Sequence, residues 1–182
     1  MSTKYKIKDQ EKLYFISFSV VYWIDVFIRN EYKSVLLESI EYCQKNKGLE
    51  VFGWCIMTSH VHMIISTSDK NIEDIVRDFK SFTSTTLRKS ITQHPQESRK
   101  EWILWMMQRA GVKNGNNKDY QFWQQSYHPI ELWDNYMMQQ KLDYIHQNPV
   151  DAGFVDKPEH YVYSSARDYA GENGLLDIKL IQ

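Results

Sequence analysis

Three observations predict an α+β fold in which helices pack on a central antiparallel sheet. Between Tyr14 and Tyr22, apolar Ile16, Phe18 and Val20 alternate with Ser17 and Ser19, the period-2 pattern of a half-buried strand. Residues 49–57 and 60–67 are two further strand-like runs joined only by Thr58 and Ser59, which reads as a hairpin. Residues 30–47 and 71–91 instead repeat apolar side chains every three to four positions, the spacing of helices that bury one face.

Taken in order, residues 1–12 carry Lys4, Lys6, Lys8 and Lys12 among few apolar groups, and read as a solvated lead-in or a basic arm for a polyanion. The first strand follows. In the helix over 30–47, Val35, Leu36, Ile40 and Cys43 supply the buried stripe, and Gly48 stands where a helix end favours a left-handed residue. After the hairpin, the helix over 71–91 offers Ile72, Ile75, Val76, Phe79 and Phe82 to the core. Arg77, Lys80, Ser84 and Arg88 lie on another face, a solvated stripe or a contact for backbone phosphates in about equal measure. Strand, helix, strand, strand, helix is most of a ferredoxin-like split β-α-β unit, and a fourth strand is needed. Residues 92–122 read as a polar, basic insert around a 102–107 apolar patch and a 111–117 loop, so the fourth strand is placed at 125–133. Asp134 then caps an additional C-terminal helix running to about Asn148, where Pro149 ends it. The domain is expected to be single, over 13–170, with 171–182 as a tail.

Bulk properties agree. A chain of 182 residues with 42% hydrophobic residues has enough material for one well-buried core and is short for two. Its 22 basic and 23 acidic residues give a net charge of −1, which argues against a broad non-specific nucleic-acid coat but allows a local basic groove. Six Trp and twelve Tyr are more rings than a domain of this size buries, so several are expected at a surface or groove. Cys43 and Cys55, with no signal peptide ahead of them, read as reduced thiols in a cytoplasmic protein. The longest apolar stretch, residues 20–28, is interrupted by Asp25 and too short for a bilayer, so no membrane role is expected.

The chemistry is concentrated in two places. His60 and His62, at i and i+2 on a strand, point to the face opposite Val61, Met63 and Ile65 and are presented together. A single histidine is more simply read as structural, as are His128 and His160, but a His-x-His pair within an apolar run favours a shared metal. On the C-terminal helix, Met137, Lys141, Tyr144 and Asn148 fall on one stripe, Met138 and Ile145 face the core, and His146 points elsewhere. If Asn148 supplies an amide oxygen as third ligand, the Tyr144 hydroxyl sits about one turn from the metal and from any phosphate it binds. A phenol attacks well only as phenolate, which Lys141 could favour, although a solvated lysine is the simpler reading. Two imidazoles and an amide cancel none of an ion's charge, so Mg2+ or Mn2+ would keep its full polarising power while binding weakly to the empty site. Imidazoles also suit Zn2+.

His60-Val-His62 followed by Tyr144-Ile-His-Gln-Asn148-Pro149-Val150 resembles the HUH single-tyrosine transposases, in particular the REP-associated tyrosine transposase branch. The resemblance extends through residues 54–65, Asp78-Phe-Lys-Ser-Phe-Thr83, Phe122-Trp-Gln124, the turn ending at Gly153 and Tyr163-Ser-Ser-Ala-Arg-Asp-Tyr169, covering most of 13–170. It implies a metal-dependent single-stranded DNA endonuclease and strand-transferase that cleaves and rejoins DNA through a covalent 5′-phosphotyrosine, leaving a free 3′-hydroxyl. By matching position Tyr144 is the nucleophile, and His60, His62 and Asn148 hold Mg2+ or Mn2+. Asn148 stands where many relatives have the longer Gln. The implied partner is hairpin-containing single-stranded DNA in a bacterial cytoplasm, and a second copy of the chain is a further candidate. Arg77, Lys80, Arg88, Lys141, Trp123, Trp102, Trp105 and the amino-terminal lysines become candidates for DNA contact. No nucleotide cofactor is implied, and none of the seven glycines forms a Walker-type phosphate loop. The rival reading is a catalytically silent single-stranded nucleic-acid-binding module, a domesticated relative, which leaves a bare His pair unexplained. An HUH replication initiator or relaxase would be expected to carry a lysine or second tyrosine at position 148, or a third histidine after His62, and Asn148 and Met63-Ile64 do not fit.

Overall fold

The alternation along the first strand sorts its side chains onto the two faces of a sheet. The computed structural model describes residues 7, 9, 10, 12–115 and 119–181. Its elements are β1 (Leu13–Ser19), α1 (Asn30–Lys47), β2 (Leu49–Ile56), β3 (His60–Thr67), α2 (Ile72–Gln93), α3 (Lys100–Val112), β4 (Ile130–Leu132), α4 (Asn135–Asp151) and the short α5 (Ala166–Tyr169). The sheet runs β2-β3-β1-β4 with antiparallel pairing throughout, the expected split β-α-β arrangement. On one face Tyr14, Ile16, Phe18, Val61, Met63 and Ile65 pack with Leu36 and Ile40 of α1 and Ile75, Val76 and Phe79 of α2. On the other, Phe15, Cys55 and Ile64 meet Leu142 and Ile145 of α4. The helices are therefore segregated, α1 and α2 below the sheet and α4 above it. Gly48 ends α1 at φ 71°, and a Cβ there would lie 2.7 Å from the Asp69 Cβ, so the turn into β2 needs both glycine's backbone freedom and its missing side chain.

Several boundaries depart from the sequence reading, each for a physical reason. Residues 92–122 are not a bare insert: α3 occupies 100–112 and buries Ile103, Met107 and Ala110 at helical spacing. Trp102, Trp105 and Met106 on its other sides hide that stripe in the sequence. The strand expected over 125–133 shrinks to Ile130–Leu132, because His128 has φ 41° and Pro129 has no N–H for the ladder. Pro149 does not end α4, which continues to Asp151; proline forfeits only its own donor, and its carbonyl still accepts from Phe154 N at 2.9 Å. Phe82, expected in the core, is exposed. Of the lead-in, Ile7 is buried in the main core and the Gln10 Oε1 accepts from Ile72 N at 2.8 Å at the start of α2. Lys4, Lys6 and Lys8, and the part of the 111–117 loop at 116–117, lie outside the described residues. The tail packs back through buried Leu176, and Lys179 N donates to Val51 O at 2.9 Å. Cys43 and Cys55 are buried and free of disulfide. Among the described residues no helix is long and apolar enough to cross a membrane.

Glu97, in the turn between α2 and α3, is a buried carboxylate. It accepts from Arg29 Nε at 2.9 Å, Tyr32 OH at 3.4 Å and Arg99 N at 3.2 Å, stapling that turn to the start of α1. Burial alone would raise its pKa, but the Arg29 hydrogen bond and the Arg99 backbone hold it below the usual value. Its contribution is thus present above the ordinary glutamate range and lost as pH falls through its lowered pKa. Glu97→Ala is expected to cost about 2 kcal/mol at pH 7 in urea unfolding. The gap to the parent should close as pH falls below the ordinary glutamate range, and a gap independent of pH would contradict the assignment.

Candidate active site

The cluster is built on neighbouring strands and the helix above them. On β3, His62 pairs with Ser17 of β1 and Cys55 of β2, and His60 pairs with Ser19, so small neighbours leave both imidazoles room on the α4 face. Their ring centroids are 4.7 Å apart. Phe15, two residues along β1, stacks on His62 at 5.5 Å. From α4, the Tyr144 ring meets His62 edge-on at 5.1 Å and Phe15 at 6.0 Å. The Lys141 Nζ lies 5.0 Å from the Phe15 ring centre and 5.7 Å from that of Tyr144. The helix is fixed in register by several contacts. Asp134 accepts from Met137 N at 2.6 Å at its start, Leu142 and Ile145 are buried beneath it, and His146 Nε2 shares a 2.9 Å hydrogen bond with Ser165 Oγ. Ser165 in turn accepts from Trp54 N at 2.9 Å, tying α4 to β2.

The electrostatics suit a cation. His62 is only 5% exposed, and neither ring nitrogen has a hydrogen-bond partner among the described residues. Burial, with smaller contributions from His60 and Lys141, pushes its pKa down to about 3. Burial lowers that of His60 too, whose Nδ1 lies 3.2 Å from Ser59 Oγ. Both imidazoles are therefore neutral near pH 7, with lone pairs to offer. A buried unsatisfied polar group costs about 1–3 kcal/mol, so His62 is an expense that the apo fold does not recover. Among the described residues no three His, Cys, Asp or Glu side chains converge, so an all-histidine-and-carboxylate triad is not present. Asn148 is half-buried and lies one turn beyond Tyr144 on α4. Two neutral imidazoles are donors of a kind that fits a divalent ion.

The remaining nominated residues divide differently. Arg77, Lys80 and Arg88 belong to α2, across the sheet from Tyr144. Arg77 is exposed and pairs with Asp74 at 2.6 Å and Asp78 at 3.2 Å, while the Arg88 guanidinium lies 4.6 Å from the Tyr120 ring centre. Lys80 donates to the carbonyls of Gln124 at 2.8 Å and Gln125 at 3.1 Å, and burial lowers its pKa to about 8, so it anchors that segment from beneath. Trp123 is corrected to a core position: its ring packs with Phe18, Phe27 and Phe122, and its Nε1 donates to Thr83 Oγ1 at 3.0 Å, leaving no open face for a base. Trp102 and Trp105 are exposed on α3. The sequence reading missed two site residues, Phe15 and Trp23; Trp23 meets His60 edge-on at 5.3 Å. The strand alternation already put Phe15 on the histidine face, but nothing local announced Trp23.

The family described as "Transposase IS200 like" matches residues 13–108, more than half of the 182-residue chain. Among solved structures, one of a REP-associated tyrosine transposase bound to a REP hairpin is similar with a TM-score of 0.67 at 16% identity, over 100% of this chain and 94% of that one. A protein of Deinococcus radiodurans R1, provisionally named a transposase, gives 0.44 at 18% identity over 79% and 95%. No curated protein matches the sequence.

Proposed function

Because the chain belongs to the IS200-like transposase family, we propose that it cleaves and rejoins single-stranded DNA beside a hairpin, with Tyr144 as nucleophile. The observation that carries this reading is the half-exposed Tyr144 ring 5.1 Å from His62, whose two nitrogens lack partners among the described residues. The resemblance to a hairpin-bound transposase supports the choice of DNA. The Tyr144 hydroxyl gives up its proton and its oxygen forms a bond to phosphorus as the bond from phosphorus to the 3′ oxygen breaks. That oxygen leaves as a 3′-hydroxyl after taking up a proton, and the 5′ side remains as a phosphotyrosine ester. The reverse attack by a 3′-hydroxyl rejoins the strand, and because the ester conserves the bond energy no nucleotide is consumed. His60, His62 and Asn148 would hold Mg2+ or Mn2+, which would supply Lewis-acid polarisation of the phosphate. Lys141 places positive charge beside the Tyr144 ring, where the anionic phosphate must approach, and Phe15 and Leu142 keep one side of the site apolar.

Labelled hairpin-bearing single-stranded DNA, incubated with the protein and Mn2+ or Mg2+, is expected to give an adduct that survives denaturation. Tight binding without adduct or cleaved product across varied substrates would leave the silent binding module as the better reading. A second expectation follows from the neutral donors. Titration calorimetry should show Mn2+ binding at least about tenfold more tightly once single-stranded DNA is present, since the phosphate supplies the missing negative charge. Equal affinities would contradict the assignment.

A further inference from the structure

Tyr22 and Trp23 both adopt φ 56°, in the left-handed region that disfavours residues with a side chain. Their neighbours explain how the conformation is held. Val20, Val21, Ile24 and Val26 are buried, Val21 N donates to Phe122 O at 2.8 Å, and Phe27 N donates to Thr58 O at 2.8 Å. The two rings are not buried, and Trp23 remains 58% exposed, so the strain is not recovered by packing them. It serves instead to project them. Trp23 touches His60 at one edge and also borders an open groove of about 630 Å3, which it shares with Tyr22, Asn114, Gln121, Gln124 and Gln125.

The amides of that groove are already ordered. Gln125 Nε2 donates to Asn114 Oδ1 at 2.6 Å, Asn114 Nδ2 donates to Gln121 Oε1 at 2.9 Å, and Gln121 Nε2 donates to Trp123 O at 2.9 Å. Gln121 and Gln125 carry more donors and acceptors than these bonds consume, so their spare groups remain fixed in direction. From below, Lys80 pins the 124–125 backbone. We propose that the groove is a base-recognition subsite: the nucleotide adjoining the phosphate at His60 and His62 stacks its base on Trp23 and presents its edge to the amide relay. Rings take any base by stacking, whereas amides discriminate between base edges, so the pair supplies both grip and sequence preference. The inference rests on the strand-transfer reading above for its ligand.

The test uses Tyr144→Phe protein, which binds without reacting, and hairpin-bearing single strands with 2-aminopurine at successive positions around the cleavage site. Quenching is expected at one position and should be relieved by Trp23→Ala, with affinity falling about tenfold and Trp23→Phe restoring most of it. On a strand abasic at that position, Trp23→Ala should have no further effect. A residue that only buttressed His60 would give the same loss on intact and abasic strands, and that result overturns the proposal, as does unchanged quenching in Trp23→Ala. Formation of the covalent adduct with no dependence on Trp23 would sink the subsite alone. Trp23-dependent quenching by a protein whose Tyr144 never forms adduct would sink strand transfer and leave the subsite standing.

Discussion

Tyr144→Phe is expected to reduce covalent adduct formation below detection while the protein stays folded. The substitution removes one oxygen and keeps the ring, so the edge contacts to His62 at 5.1 Å and Phe15 at 6.0 Å and the Lys141 contact at 5.7 Å are all preserved. Tyr144 is 49% exposed, and a change on that face should move stability by less than about 0.5 kcal/mol. Hairpin DNA should bind within a fewfold of the parent affinity. Without the phenol oxygen no bond to phosphorus can form, so the loss falls entirely on chemistry. A denaturation-resistant adduct at parental levels would assign the nucleophile elsewhere.

His62→Leu is expected to move activity and stability in opposite directions. Removing both nitrogens takes away a proposed metal ligand, and strand cleavage should fall by about a thousandfold or more, roughly 4 kcal/mol of transition-state stabilisation. The same change replaces a buried imidazole lacking partners among the described residues by an apolar group between Phe15, Cys55 and Tyr144. Relief of that unsatisfied group, about 1–3 kcal/mol, should exceed the cost of repacking, so the metal-free variant should unfold at a higher temperature than the parent. Mn2+ should raise the parental melting temperature and leave that of the variant unchanged. A variant that melts well below the parent would show that the fold itself relies on His62.

These expectations draw on a site that was partly legible in the sequence. His60 and His62 were readable because a strand's period of two puts alternate side chains on one face, and the pattern of Val61, Met63 and Ile65 named the opposite face as core. Lys141, Tyr144 and Asn148 were readable as a stripe because helix geometry is equally regular. Local rules were weaker where tertiary contacts override them. In α3, exposed tryptophans flank the buried Ile103, Met107 and Ala110. In β4, a left-handed His128 and a donor-less Pro129 shorten the pairing. Trp123 and Lys80 look, as bare residues, like DNA ligands; they are occupied because Thr83 and the carbonyls at 124 and 125 happen to lie beside them.

By itself, then, the sequence determined the order of the strands and of α1, α2 and α4, the face each strand presents and the pairing of histidines, since these depend on backbone periodicity and nearest neighbours. Only the tertiary structure decided that α4 crosses the histidine face and brings Tyr144 and Lys141 to it, that α2 and its basic residues lie on the far side of the sheet, and that Trp23 stands against His60. Those relations join residues far apart in the chain, and they are set by which apolar surfaces close on one another, a property that no local spacing encodes.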